Sequence, residues 1–148
     1  MDYTRSITIT GDRDAIAALY VDTSTWVEWQ PSLLSIEVLE GAPPAQGARS
    51  RLTFRRGKKG TMVMIETVEL SALPEQWNVV YEVAGVHNVC ETRFEQTDAR
   101  TTLVEQRNLF RFSGFMRVVG VLFARSFPAE TQKSLEAFRH VAESRSGA

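Results

Sequence analysis

The chain has 148 residues, 43% of them apolar and 24% charged, and carries a formal net charge of −1 at neutral pH. It is too apolar to stay disordered, and from so small a net charge no strong general attraction to nucleic acid or to anionic membrane follows. At this length one domain, residues 1–148, with a real core is expected.

Cys90 is the single cysteine, and His87 and His140 are the only histidines, so an internal disulfide is impossible and no metal site or other cofactor is implied. No apolar signal-peptide core follows Met1, and no stretch approaches the ~18 apolar residues of a membrane span, so a cytoplasmic location is expected.

Tyr3 to Thr10 alternates, with Tyr3, Arg5, Ile7 and Ile9 on one side, and reads as a first strand. Gly11-Asp12 supplies a turn and a helix N-cap, after which Ala15, Ile16, Leu19 and Tyr20 give one apolar face to a short helix. A second cap at Asp22 or Thr23 opens a turn of helix through Trp26 and Trp29, which Pro31 stops. Six further strands are expected at 33–40, 49–56, 61–70, 76–84, 86–96 and 101–112. Their connections are short, apart from the loop Gly41 to Gly47, and Gly57-Lys58-Lys59-Gly60 makes a basic hairpin tip. From Ser113 to about Glu143 apolar residues recur at helical spacing: Phe115, Val118, Val119, Leu122, Phe123 and Phe127, then Thr131, Leu135, Phe138, Val141 and Ala142. Pro128 is expected to kink or break this long helix, leaving the half before it free to move as a lid. Consecutive strands with short links and one covering helix give an α+β fold: a seven-stranded antiparallel sheet wrapped around the C-terminal helix.

This order, together with Asp22-x-x-x-Trp26-x-x-Trp29-x-Pro31 after the first short helix, resembles the START-like or SRPBCC superfamily, and within it the polyketide cyclase/dehydratase-like branch. Val68 six residues before Pro74, and the strand Val79-x-Tyr81-x-Val83, add to the likeness. The resemblance implies the helix-grip fold, in which a curved sheet leaves a cavity for a hydrophobic ligand against the helix. It implies no fixed catalytic set, since the superfamily includes enzymes, carriers and sensors.

Strand alternation then nominates the lining. Even positions of the later strands turned inward would present Met62, Met64 and Glu66, then Asn88, Cys90 and Phe94, then Gln106 and Asn108, with Trp77 and Tyr81 from the odd positions between. Phe115, Val119, Phe123 and Phe127 would close the cavity from the helix. In the last strand Leu103 and Leu109 compete for the inward side, and a slip of one residue would exchange the amides for Glu105 and Arg107. The amides either contact a ligand or satisfy one another.

Trp26 and Trp29 either line the cavity end or plug the core. Glu66, Tyr81 and His87 are the candidate proton carriers, Glu66 because a carboxylate among methionines is held protonated by desolvation; its alternative is surface pairing with Arg51 or Arg93. Arg55-Arg56-Gly57-Lys58-Lys59 lacks the aromatic interleaving of a nucleic-acid site, and a solvated tip or a phosphate or membrane contact both fit it.

Three functions remain in view. The chain binds a hydrophobic lipid-like or aromatic molecule, or it is a cyclase- or dehydratase-type enzyme, or it is an interaction module that dimerises through an outer face bearing Val63, Ile65 and Val80.

Overall fold

The computed structural model describes residues 1–145. Strand β1 (Asp2–Thr10) leads into helix α1 (Arg13–Val21), a 3-10 turn (Thr23–Thr25) and the four-residue helix α2 (Trp26–Trp29). Strands β2 (Leu33–Glu40), β3 (Arg49–Arg56), β4 (Gly60–Ala72), β5 (Gln76–Val83), β6 (Val86–Asp98) and β7 (Thr101–Phe112) follow, then helices α3 (Met116–Leu122) and α4 (Ser126–Arg145). All seven strands pair antiparallel in one curved sheet, in the order β1-β7-β6-β5-β4-β3-β2. Asp12 caps α1 by accepting from the Ala15 amide at 3.2 Å, and Asp22 accepts from the Ser24 amide at 3.1 Å, so both expected caps form.

The core lies between the concave sheet face and the helices. Tyr20 of α1 is its centre, with ring centroids 5.3 Å from Trp29, 5.4 Å from Phe94, 5.2 Å from Phe138 and 6.2 Å from Trp77. Helix α4 buries Leu135, Phe138 and Ala142 against this cluster, which is the stripe expected of its second half. It runs alongside β1 in the same direction: Thr131 Oγ1 lies 2.8 Å from the Tyr3 hydroxyl, and near its other end the Glu143 carboxylate accepts from the Thr10 amide at 2.9 Å.

Two expectations about the last third are corrected. The break falls at residues 123–125 and not at Pro128, which is the third residue of α4. Proline is tolerated in a first turn because an amide there has no intrahelical acceptor to lose, so Pro128 helps to start a helix rather than to bend one. The apolar side of α3 does not face the sheet. Phe115 is 78% exposed and Phe123 53%, while Val119 is half-buried. Helix α3 instead seats its narrow side on the sheet's end: Gly120 lies so close to Phe112 that a Cβ would come within 2.7 Å of its ring, and a Cβ on Gly85 would come within 2.6 Å of Met116. On the outer face Val63 is exposed, Ile65 half-buried and Val80 buried.

Phe138 has no exposed surface and touches both Tyr20 and Trp29. Phe138→Ala is expected to destabilise the fold by about 3–5 kcal/mol, read as a lowered urea midpoint with an unchanged slope.

Candidate functional site

Between the sheet and α4 lies a pocket of about 320 Å³. Its wall is built from three helices and five strands. Trp26 and Trp29 come from α2 and Gln30 from its end, Tyr20 from α1, Phe127, Glu130, Thr131 and Ser134 from α4, and the remainder from β3 to β7.

The even register of β6 and β7 explains the floor. Thr102, Val104 and Asn108 are buried while Glu105 and Arg107 are exposed, so Leu103 and Leu109 lose the competition for the inward side. Of the residues nominated from sequence, Met64, Trp77, Tyr81, Asn88, Cys90, Gln106, Asn108 and Phe127 line the pocket. Met62 and Val119 are half-buried away from it, Phe94 is buried in the core beneath Tyr20, and Phe115 and Phe123 point into solvent.

The floor amides are joined in one directional chain. Asn88 donates to Asn108 Oδ1 at 3.2 Å, Asn108 donates to Gln106 Oε1 at 2.9 Å, and Gln106 donates to the Tyr20 hydroxyl at 2.8 Å. Tyr20 then reaches Thr92 Oγ1 at 3.3 Å. Much of the amides' capacity is therefore spent within the protein. Fixing them this way also fixes the direction of what remains, and the Asn88 side-chain oxygen accepts no hydrogen bond from the described residues.

Two buried polar atoms beside the pocket have no partner. Trp26 Nε1 donates to the Tyr20 carbonyl at 2.8 Å and Trp77 Nε1 to the Pro44 carbonyl at 3.0 Å, but Trp29 Nε1 finds nothing. Glu66 Oε2 is likewise unpaired, on a residue only 2% exposed. Burial raises the Glu66 carboxyl from its ordinary 4.5 to about 7, with the neighbouring Tyr81 hydroxyl partly opposing the rise. Glu66 and Tyr81 are direct cross-strand partners, so the pocket-lining phenol stands between this carboxyl and the pocket. The same burial holds the Tyr20 and Tyr81 phenols above their ordinary range and pushes the Cys90 thiol up to about 12, leaving both hydroxyls neutral donors and the thiol an apolar surface.

His87 takes the outer face that the alternation gives it, with Nδ1 3.8 Å from the Glu82 carboxylate, and is no part of the pocket wall. Arg51 pairs with Glu37 on the outer face and not with Glu66.

Tyr20, Leu52, Phe54, Phe110 and the α4 residues Glu130, Thr131 and Ser134 also line the pocket. Tyr20 and Thr131 lay on helix faces already recognised as inward. Glu130 and Ser134 flank that stripe and carry no signal of their own.

No known sequence family and no curated protein matches the chain. Solved structures do match over nearly its whole length. The aromatase/cyclase Zhui from Streptomyces sp. R1128 superposes with a TM-score of 0.75 at 17% identity, covering 98% of this chain and 94% of that one. Ara h 8.0201 superposes at 0.78 and 13% identity, covering 97% and 98%. Norcoclaurine synthase from Thalictrum flavum, solved with dopamine and hydroxybenzaldehyde, superposes at 0.71 and 13% identity, covering 95% and 85%. The chain therefore has the same helix-grip fold as these structures.

The raised Glu66 pKa has a definite sign in stability. Between pH 4.5 and about 7 the native state holds a proton that the unfolded chain releases, so the Glu66 contribution falls as pH rises through that window and its cost is fully present above pH 7. Glu66→Gln is expected to gain on the order of 2–3 kcal/mol relative to the parent between pH ~5 and ~8, measured by urea unfolding at both values.

Proposed function

We propose that the protein binds a hydrophobic small molecule of aromatic or lipid-like character in the pocket between the sheet and α4. The observation that carries this is the pairing of an aromatic and aliphatic wall with oriented amides and an orphaned polar atom in that wall, the Trp29 N–H. Buried polar atoms are nearly always satisfied, and a pocket with a few convergent polar groups on an apolar wall suits a ligand that supplies the missing partners. An aromatic ring with a hydroxyl or carbonyl substituent meets that description. The named neighbours support it: two act on or hold aromatic molecules, one called an aromatase/cyclase and one solved with dopamine and hydroxybenzaldehyde.

Native mass spectrometry of protein purified from its own host tests this by the presence of a retained small molecule. Calorimetric titration with hydroxylated naphthalenes tests it directly. Asn88→Leu is expected to weaken binding by about 5- to 150-fold, the cost of leaving a polar group of the ligand unpaired. No retained molecule and no heat from any of the compounds would sink the reading.

A second reading is favoured by one observation, the Glu66–Tyr81 pair. A carboxyl with a pKa of about 7 is matched to proton transfer at neutral pH, and the adjacent phenol reaches the pocket that Glu66 does not line. A cyclase- or dehydratase-type reaction on an aromatic polyketide precursor uses the pocket to fold the chain and this pair to move protons. Glu66→Gln and Tyr81→Phe should each lower turnover by about 10²- to 10⁴-fold while leaving substrate binding within a few-fold of the parent. Unchanged turnover in both variants removes the pair from any mechanism and leaves binding alone.

A further inference from the structure

We propose that the end of the sheet carrying α3 docks on a bilayer rich in anionic phospholipid. The idea starts from a helix facing the wrong way. Phe115, Val121 and Leu122 are 78%, 79% and 72% exposed, and Val118 and Phe123 are more than half exposed, so the outward side of α3 and its two flanks is apolar apart from its arginines. This is not a loosely attached segment. The close seating of Gly120 on Phe112 and of Met116 on Gly85 fixes which side faces the protein. Five large apolar side chains held in water on one short helix form a patch that a partner must cover.

The chemistry around the patch selects the partner. From Gly114 to Arg125 the sequence is Gly-Phe-Met-Arg-Val-Val-Gly-Val-Leu-Phe-Ala-Arg, without a single acidic, amide or hydroxyl side chain. Its only polar side chains are Arg117 and Arg125, and Arg111 stands just before it. None of the three arginine side chains forms a hydrogen bond or an ion pair with the described residues. The strand pairing places the basic hairpin at this same end: β3 runs out to Arg56 and β4 returns at Gly60, where β5 ends, β6 begins and β7 delivers α3. Arg55, Arg56, Lys58 and Lys59 therefore flank the patch across the width of β5 and β6. The acidic groups at this end are Asp2, paired with Arg107, Glu82, turned to His87, and Glu130 on α4.

Apolar anchors ringed by unpaired cations match a lipid surface, where the side chains enter the acyl boundary and the guanidinium and ammonium groups meet phosphates. A protein partner would call for acceptors as well as donors at a polar rim, and the segment has no side-chain acceptor. A second copy meeting the same face about a two-fold axis would bring like charges together. The net charge of −1 hides this patch because most of the acids lie elsewhere on the molecule. Docking needs no occupant in the pocket, so it stands or falls separately from ligand binding. Val83, Val86, Phe110 and Phe127 do place the pocket wall at the same end of the sheet.

Co-sedimentation of the full chain with vesicles, without added ligand, tests the proposal. Binding is expected to phosphatidylcholine vesicles containing roughly a third phosphatidylserine, to fall about tenfold or more on phosphatidylcholine alone, and to weaken as salt rises. Val121→Glu with Leu122→Glu should abolish it, and Arg117→Gln with Arg125→Gln should weaken it about tenfold or more at an unchanged melting temperature. The arginine pair alters charge on exposed side chains only, so it keeps the test decisive even if the glutamates disturb α3. No binding to the anionic vesicles at low salt, or binding that ignores both pairs, overturns the proposal. Self-association in sedimentation velocity that depends on α3, without vesicle binding, overturns it too and makes the face a contact between copies.

Discussion

Everything in this fold depends on how Tyr20 is held. Its ring lies within stacking distance of an α2 tryptophan, a β5 tryptophan, a β6 phenylalanine and an α4 phenylalanine, so four elements distant in sequence meet on one side chain. Its hydroxyl ends the amide chain that crosses the sheet floor, and its backbone carbonyl accepts from the Trp26 indole. A phenol suits the position because it is an apolar body with a polar tip: the body closes the core, and the tip satisfies Gln106 and Thr92 at the pocket floor. The core on one side of Tyr20 and the pocket on the other are thus parts of one packing arrangement. A change that loosens the ring loosens the pocket floor with it.

The same constraint explains why there is a pocket at all. Phe138 and Leu135 bring the middle of α4 down onto the aromatic cluster. Near its start the helix is held off by the rings of Phe110, Phe112 and Phe127, whose centroids lie 5.0 to 5.7 Å apart. Space remains between these two supports. Cys90, Asn88 and Met64 face that space from the sheet, and Thr131 and Ser134 from the helix. The polar residues among them sit where the strand register must put something inward and where no apolar partner comes down to meet it.

Much of this was legible in the chain. Period-two alternation placed every strand to within two or three residues, because a strand with one buried face shows that face at every second position. In β7 the sequence left two registers open. Thr102, Val104 and Asn108 went inward, since the opposite register would have buried Glu105 and Arg107 without partners. The orientation of α3 was not legible. Periodicity reports that a helix has an apolar side, but it does not report whether that side faces the protein, and a segment apolar nearly all round contains no phase to read. The position of the helix break was misread for a related reason: proline marks either the interior of a bent helix or the first turn of a new one, and only the amide pattern around Phe123 and Ser126 distinguishes them. Glu66 was nominated for its neighbours in sequence. Its coupling to Tyr81 followed only once the register of β4 against β5 was known.

The aromatic ring of the site carries a practical corollary. The chain has three tryptophans, and all three line the pocket, with the Trp26 ring 6.4 Å from that of Trp29 and 6.3 Å from that of Trp77. The ultraviolet emission of the whole protein therefore originates at one place, with no distant indole to dilute it. Quenching, spectral displacement or energy transfer to a chromophoric guest reads that place alone, so the molecule comes with its own optical gauge of whatever enters.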